Sequence, residues 1–221
     1  GSMKLTGAGN IVVNSAVAGS TIDLSSIVDD IYTGTITIND GSGSNTISTN
    51  NENTTVNLSG GTDSVTLGTG TNTVNVDAVN LTSADTITAA GTTDTVNITS
   101  AGAVDASGLS GVETINLNAG GNTITVGTNT GTINGGAGAD TFKFAIGNLA
   151  SADIVNGAGA IDTLEFTNAG TIIDTQLTNV SGVENITLAN GTNTITVGTK
   201  DFNITGGTGD DTFKYAIDDF T

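Results

Sequence analysis

The sequence predicts an all-β fold, a right-handed parallel β-roll or β-helix (a solenoid), on three observations. A nine-residue pattern recurs along most of the chain. Most units carry one β-branched residue next to threonine, and most contain a glycine turn with asparagine or aspartate. Thr, Asn, Gly, Ile and Val dominate the composition, and helix formers are scarce. Composition alone, with 36% hydrophobic residues, would read as a disordered polar tract. The order of the residues overrules that reading.

The units follow one another from Ile31: IYTGTITIN, DGSGSNTIS, TNNENTTVN, LSGGTDSVT and LGTGTNTVN, ending at Asn75. Position 8 is Ile38, Ile47, Val56, Val65 and Val74, and position 7 is Thr37, Thr46, Thr55, Ser64 and Thr73. The phase slips by four residues near 76–79 and resumes over 80–97. It resumes again at 108 (GLSGVETIN, LNAGGNTIT, VGTNTGTIN, GGAGADTFK) and at 179 (NVSGVENIT, LANGTNTIT, VGTKDFNIT, GGTGDDTFK). GAGAIDTLE, residues 157–165, is one further unit with its aspartate in phase. Gly1-Ser2-Met3 reads as an expression scar. Residues 4–30 are expected to supply N-terminal strands, and 31–221 a continuous solenoid with loop-outs near 76–79, 98–107, 144–156 and 166–178. Block 108–143 is followed by FAIGNLASADIVNG, but block 179–214 only by YAIDDFT, so a longer parent chain with a further block is expected.

Thr-Ile-Thr is a short strand with the Ile on one face and the threonines on the other. Glycine and Asn or Asp then turn the chain, because they tolerate left-handed backbone. One such unit cannot bury its apolar side chain alone. Stacking on the equivalent strand of the next turn, about 4.8 Å away, does so. Two units would make one coil, and about twelve coils a rod of roughly 60 Å at that spacing. Leu58, Leu67, Leu117, Val126, Leu188 and Val197 at position 1 add a second inward column. Phe142, Phe144, Phe213 and Tyr215 alternate with polar residues and are expected to face the core, with Lys143 and Lys214 outward.

The chain holds 22 acidic residues against 4 basic ones, a formal charge of −18. That surface repels nucleic acid and anionic lipid, and bound cations are its natural counter-charge. Without cysteine there is no disulfide or thiolate site, and without histidine no zinc-protease motif and no Ser-His-Asp triad. No enzymatic activity is expected. No run of about 18 apolar residues spans a membrane.

GGAGADTFK (135–143) and GGTGDDTFK (206–214) fit G-G-x-G-x-D-x-U-x, the nonapeptide of calcium-binding RTX repeats. These units resemble RTX repeats. The longer blocks, with their SGVETINL…NTITV run, resemble the β-strand repeats of bacterial S-layer and giant surface proteins. The resemblance implies an ion between turns two units apart. Asp140, with Gly136 and Gly138, would share it with the turn of Asn122. Asp211, with Gly207 and Gly209, would share it with the turn of Asn193, and Asp63 with that of Asn45. The chain departs from the family at position 6, which holds Asn45, Thr54, Asn72, Asn122, Gly131, Asn193 and Phe202 where a dense array has aspartate. About two to four ions are therefore expected. Stacked asparagines offer an alternative, an amide ladder without metal. Asp85, Asp94 and Asp162 lack the preceding glycines and are expected at turns or strand ends. Glu113 and Glu184 are expected as solvated turn charges. The resemblance implies a secreted, calcium-stabilised structural block of a Gram-negative cell surface or S-layer, with calcium and neighbouring copies as partners. A spacer in a large RTX adhesin and the calcium-folded secretion tail of an exported enzyme are the alternatives.

Overall fold

The structure, a computed structural model, describes residues 4–15 and 19–215. The scar at 1–3 and the stretch 216–221 of the expected solenoid lie outside them. The chain winds as a parallel β-solenoid. The first coil holds β1 (Lys4–Gly7), β2 (Ile11–Asn14) and β3 (Thr21–Asp23). β4 (Val28–Tyr32) stacks on β1, and β5 (Ile36–Asn39), β6 (Thr46–Ser48), β7 (Thr54–Leu58) and β8 (Ser64–Thr66) follow. β9 (Thr73–Val76) leads through a 3-10 turn at Ala78–Asn80 to β10 (Thr86–Thr88) and β11 (Thr95–Ile98). Next come β12 (Gly102–Ala106), β13 (Leu109–Ser110), β14 (Thr114–Asn116) and β15 (Asn122–Val126). β16 (Thr132–Asn134), β17 (Thr141–Phe144), β18 (Ile154–Asn156) and β19 (Thr163–Phe166) continue the rod. It closes with β20 (Thr171–Ile172), the one-turn helix α1 (Asp174–Leu177), β21 (Val180–Ser181), β22 (Asn185–Thr187), β23 (Thr194–Val197), β24 (Asn203–Thr205) and β25 (Thr212–Tyr215).

One sheet runs nearly the whole length, in the order β2-β5-β7-β9-β11-β14-β16-β18-β21. The opposing wall changes hands along the rod. It is β3-β6-β8-β10-β13 in the first half and β12-β15-β17-β19-β22-β24 in the second, with β20-β23-β25 added at the end. The change happens where the sequence slips phase. β11, β12 and β13 follow one another in three different sheets, so that coil has three sides. The segment 98–107, expected to loop out, therefore holds β12, which pairs residue by residue with β15. The 3-10 turn at Ala78–Asn80 is the corner beneath it, and 166–178 likewise holds β20 and α1. These longer coils also correct the coil count. Coil-to-coil steps run from 18 residues between Asn57 and Asn75 to 22 between Asn75 and Asn97 and 25 between Asn14 and Asn39. The long sheet has nine strands, so the rod has about nine turns and not twelve.

Position 8 faces the core throughout. Ile38, Val56, Val74, Val96, Ile115 and Ile133 form one column, each no more than 4% exposed. Ile124, Phe142, Leu164 and Ile186 form the opposing one, each fully buried. Phe142 and Phe144 are buried as expected, while Phe213 and Tyr215 are 42% and 48% exposed at the last strand. Lys143 points outward and meets Glu165, its register partner one coil on, at 3.2 Å.

The amide ladder expected among the position-6 asparagines does not form there, where the amides bond main-chain carbonyls, but at position 9, on the outer face of the long sheet. Asn14, Asn39, Asn57, Asn75, Asn97, Asn116 and Asn134 stack in order, each Nδ2 donating to the Oδ1 of the asparagine one coil back at 2.7–3.0 Å. Replacing Asn97 with Ala removes one donor and one acceptor mid-ladder, and is expected to cost about 1–3 kcal/mol. Urea unfolding of the variant checks this, and a cost near zero would show that water replaces both bonds.

Candidate functional site

Position 6 is where the coils lock together. There a side-chain oxygen accepts the backbone N–H of the position-6 residue one coil back. Asn45 N donates to Asp63 Oδ1 at 2.8 Å, and Asp63 N to Asp85 Oδ1 at 2.7 Å. On another edge Thr54 N donates to Asn72 Oδ1, Asn72 N to Asp94 Oδ1, and Asp94 N to Glu113 Oε2 at 2.7 Å. A third series runs from Asn122 N to Asp140 Oδ1 and from Asp140 N to Asp162 Oδ1, both at 2.7 Å, then from Asp162 N to Glu184 Oε2 at 2.9 Å. Asn193 N donates to Asp211 Oδ1 at 3.1 Å. The structure thus brings together all three expected pairs: Asn45 with Asp63, Asn122 with Asp140, and Asn193 with Asp211. Glu113 and Glu184 are corrected by the same geometry. They are not solvated turn charges but the last rungs of two ladders, half-buried where the chain enters a strand after Ser-Gly-Val.

The second polar atom of each side chain sorts the turns into three kinds. At Asn45, Asn72 and Asn193, Nδ2 turns back onto carbonyls of its own turn, four and two residues earlier, whereas Asn122 donates to Ser100 O at 3.1 Å and Gly102 O at 3.4 Å, one coil back. Asn45 donates to Gly41 O and Gly43 O, both at 2.8 Å, Asn72 to Gly68 O and Gly70 O, and Asn193 to Ala189 O and Gly191 O. Where the turn is short, the aspartate Oδ2 accepts a main-chain N–H three residues back, as Asp85 does from Thr82 at 2.8 Å and Asp94 from Gly91 at 3.1 Å. Their expected turn roles hold. In the third kind, an aspartate sits in the long glycine turn and its Oδ2 has no partner. Asp63, Asp140 and Asp162 are 2%, 1% and 0% exposed, and the Oδ2 of each is a buried oxygen without a hydrogen bond.

Asp162 belongs to this third kind, although its turn has alanine where its equivalent has glycine. Ala158, at the place of Gly136, is held at φ 71°, and Gly136 itself at φ 99°. Gly138 is needed for a second reason. A Cβ there would lie 2.4 Å from the carbonyl carbon of Gly120 in the neighbouring turn. Gly207 and Gly209 make the same close approach, to the carbonyl oxygens of Ala189 and Gly191. Asp211 differs from Asp140. It is half-buried, and Asn193 donates to its Oδ1 from both N and Nδ2.

The electrostatics follow from burial. Desolvation pushes the carboxyls of Asp63 and Asp140 up to about 6, against the stabilising N–H of Asn45 and Asn122. Neighbouring Asp40 and Asp85 raise Asp63 further, and Asp162 raises Asp140. Asp162 is raised in the same way, by burial and then by Glu184. Among the described residues no three acidic side chains converge. A cation here would take one carboxylate per turn and draw its remaining oxygens from the main chain. Asn122 Oδ1 is a further buried oxygen without a partner, beside Asp140 in the same ladder.

Lys200, unremarked in the sequence, shows that the rod accepts a cation among carbonyls. Its ammonium donates to Leu177 O at 2.9 Å, Thr178 O at 2.6 Å and Val180 O, closing the end of α1. Burial lowers its pKa, and nearby Asp174 opposes that. Comparison with family models, curated proteins and solved structures finds no match for this chain.

Proposed function

We propose that this chain is a structural segment of a bacterial surface protein, an S-layer-type building block whose long glycine turns are completed by calcium. The observation that carries the reading is the set of buried, unpartnered carboxylate oxygens on Asp63, Asp140 and Asp162. An asparagine in the same place donates to two carbonyls of its turn. An aspartate cannot donate, so it sets an uncompensated anion in a place built for a donor. Calcium is a hard cation that takes six to eight oxygens and accepts backbone carbonyls. Asp140 with Asn122 is the best-furnished pair, since both hold a buried oxygen without a partner. Asp63 and Asp162 follow, and Asp211 is the least suited. The calcium would supply counter-charge between coils. The role is mechanical, because the acidic side chains keep the repeat phase and serve as rungs. Among the described residues no helix is long and apolar enough to cross a membrane.

The test is thermal unfolding in chelated buffer during a calcium titration. Binding to the folded form alone should raise the melting temperature with calcium concentration. Asp140→Ala should weaken that rise. Asp94→Ala, which removes a satisfied rung, should lower the starting stability and leave the rise intact. Ordered sheets seen by electron microscopy on adding calcium would support the lattice role. A melting temperature indifferent to calcium would remove the ion from this reading.

A further inference from the structure

One acidic residue breaks the apolar lining of the rod. Along the long sheet, four successive ladder asparagines (Asn57, Asn75, Asn97 and Asn116) are each followed by a buried apolar residue: Leu58, Val76, Ile98 and Leu117. In the coil before them that place, after Asn39, belongs to Asp40. Register fixes it there, since Asn39 pairs with Asn57 and the N–H of Asp40 donates to Asn57 O at 2.9 Å. Asp40 comes two residues after the fully buried Ile38, so the alternation of the strand turns its side chain inward. Its Oδ2 accepts the N–H and hydroxyl of Ser59, at 3.4 and 3.5 Å, and its Oδ1 is buried without a partner. A carboxylate in an apolar column is costly unless opposite charge meets it.

The turn above brings a second such oxygen to the same place. Asp63 is 2% exposed, and its Oδ2 is also buried without a partner. Its Oδ1 is fixed by the N–H of Asn45 at 2.8 Å. Asn45, at the same position one coil back, aims its Nδ2 at the carbonyls four and two residues before it. The corresponding carbonyls for Asp63 are those of Ser59 and Gly61. Ser59 is therefore where the two side chains meet, its N–H on Asp40 and its carbonyl toward Asp63. Burial raises the carboxyl of Asp63 most, the N–H of Asn45 opposes it, and the charge of Asp40 raises it further. The other two orphaned aspartates lack this company. The equivalent of Asp40 is Leu117 in the coil before Asp140, and Gly135 in the coil before Asp162.

We propose that Asp40 and Asp63 form a dicarboxylate site for one calcium ion, completed by the carbonyls of Ser59 and Gly61. The inference deepens the calcium reading and rests on it, but it adds a residue outside the position-6 ladders. Asp140 and Asn122 remain the best-furnished pair within the ladders. Ligand charge sets affinity among calcium sites, however, and two carboxylates outweigh one, so this turn should fill first.

Calorimetric titration of calcium into the chelated chain, with thermal unfolding alongside, tests it. The parent should show a tightest event of one ion per chain. Asp40→Leu installs the residue that the next coil carries. It should weaken that event by about tenfold or more, yet melt above the parent in chelator. The higher ion-free stability separates lost binding from a damaged fold. Asp140→Ala should leave the first event unchanged. An Asp40→Leu variant that binds calcium like the parent overturns the inference and leaves calcium at the other turns, as when the two carboxylates share a proton in place of an ion. A variant that melts below the parent in chelator overturns it too, because Asp40 would then be balanced without an ion. A parent that takes up no calcium at all removes the wider reading and this site with it.

Discussion

Replacing Ile124 with Asp should unfold the second half of the rod. Ile124 lies in β15 between Val104 and Phe142, its register partners in the coils on either side, and is fully buried. The change removes a packed side chain, worth about 2–5 kcal/mol for a large-to-small loss, and leaves a carboxylate in a column with no cation, costing several kcal/mol more. A domain stable by about 5–15 kcal/mol cannot absorb that readily. In a solenoid each coil touches only its neighbours, so the damage should spread from β15 outward and spare the first coils longest. Thr125→Asp is the matched control. Thr125 sits on the outward face of the same strand, opposite Lys143, and its replacement should be near neutral. Urea unfolding combined with hydrogen exchange reads both. Equal melting of the two variants would contradict the inward column, and uniform loss of protection would contradict its one-dimensional spread.

The column containing Ile124 is legible in the sequence because the side chains that must point inward are β-branched or aromatic and fall every nine residues. The pairing of Asn122 with Asp140 is legible for the same reason, since phase fixes which residues stack. What the sequence hides is where phase is lost. Gly102–Ala106 lacks the Thr-x-Thr signature, yet it is a strand of a new sheet, lying over the corner that the four-residue slip at 76–79 puts into the coil before it. The longer coils lower the number of turns. Asn at position 6 and Asn at position 9 look alike in sequence. Only the structure shows that the first spends its amide on main-chain carbonyls while the second stacks outward along the rod. Asp162 escapes the glycine motif because Ala158 stands where the motif has glycine, although the turn forces the same left-handed backbone on it. Glu113 and Glu184 hold position 6, a signal the period does contain.

Acid should stabilise the ion-free rod, and Asp140→Asn should take much of that dependence away. Burial holds the carboxyls of Asp63 and Asp140 near 6 in the folded chain, against about 3.8 when exposed. Asp162 and Asp40 are raised in the same direction and for the same first cause. Between about pH 4 and pH 6 the folded state therefore binds more protons than the unfolded state, so stability falls as pH rises through that window. The penalty is absent below the unfolded value and complete above the folded one. In chelated buffer the melting temperature of the parent should be higher at pH 4.5 than at pH 7.5. In Asp140→Asn the new amide would accept the N–H of Asn122 through Oδ1 and bring a neutral donor in place of the orphaned oxygen. This variant should accordingly melt above the parent at pH 7.5 in chelator, and the gap should close at pH 4.5. Calcium should reverse the order at pH 7.5, because the carboxylate gains its counter-charge and the amide does not. The overall charge of −18 also favours acid, but it is nearly the same in both proteins, so their difference isolates this one site. A parent whose melting temperature does not change between pH 4.5 and 7.5 in chelator, or an Asp140→Asn variant less stable than the parent there, would mean that the buried carboxylate is already balanced within the fold.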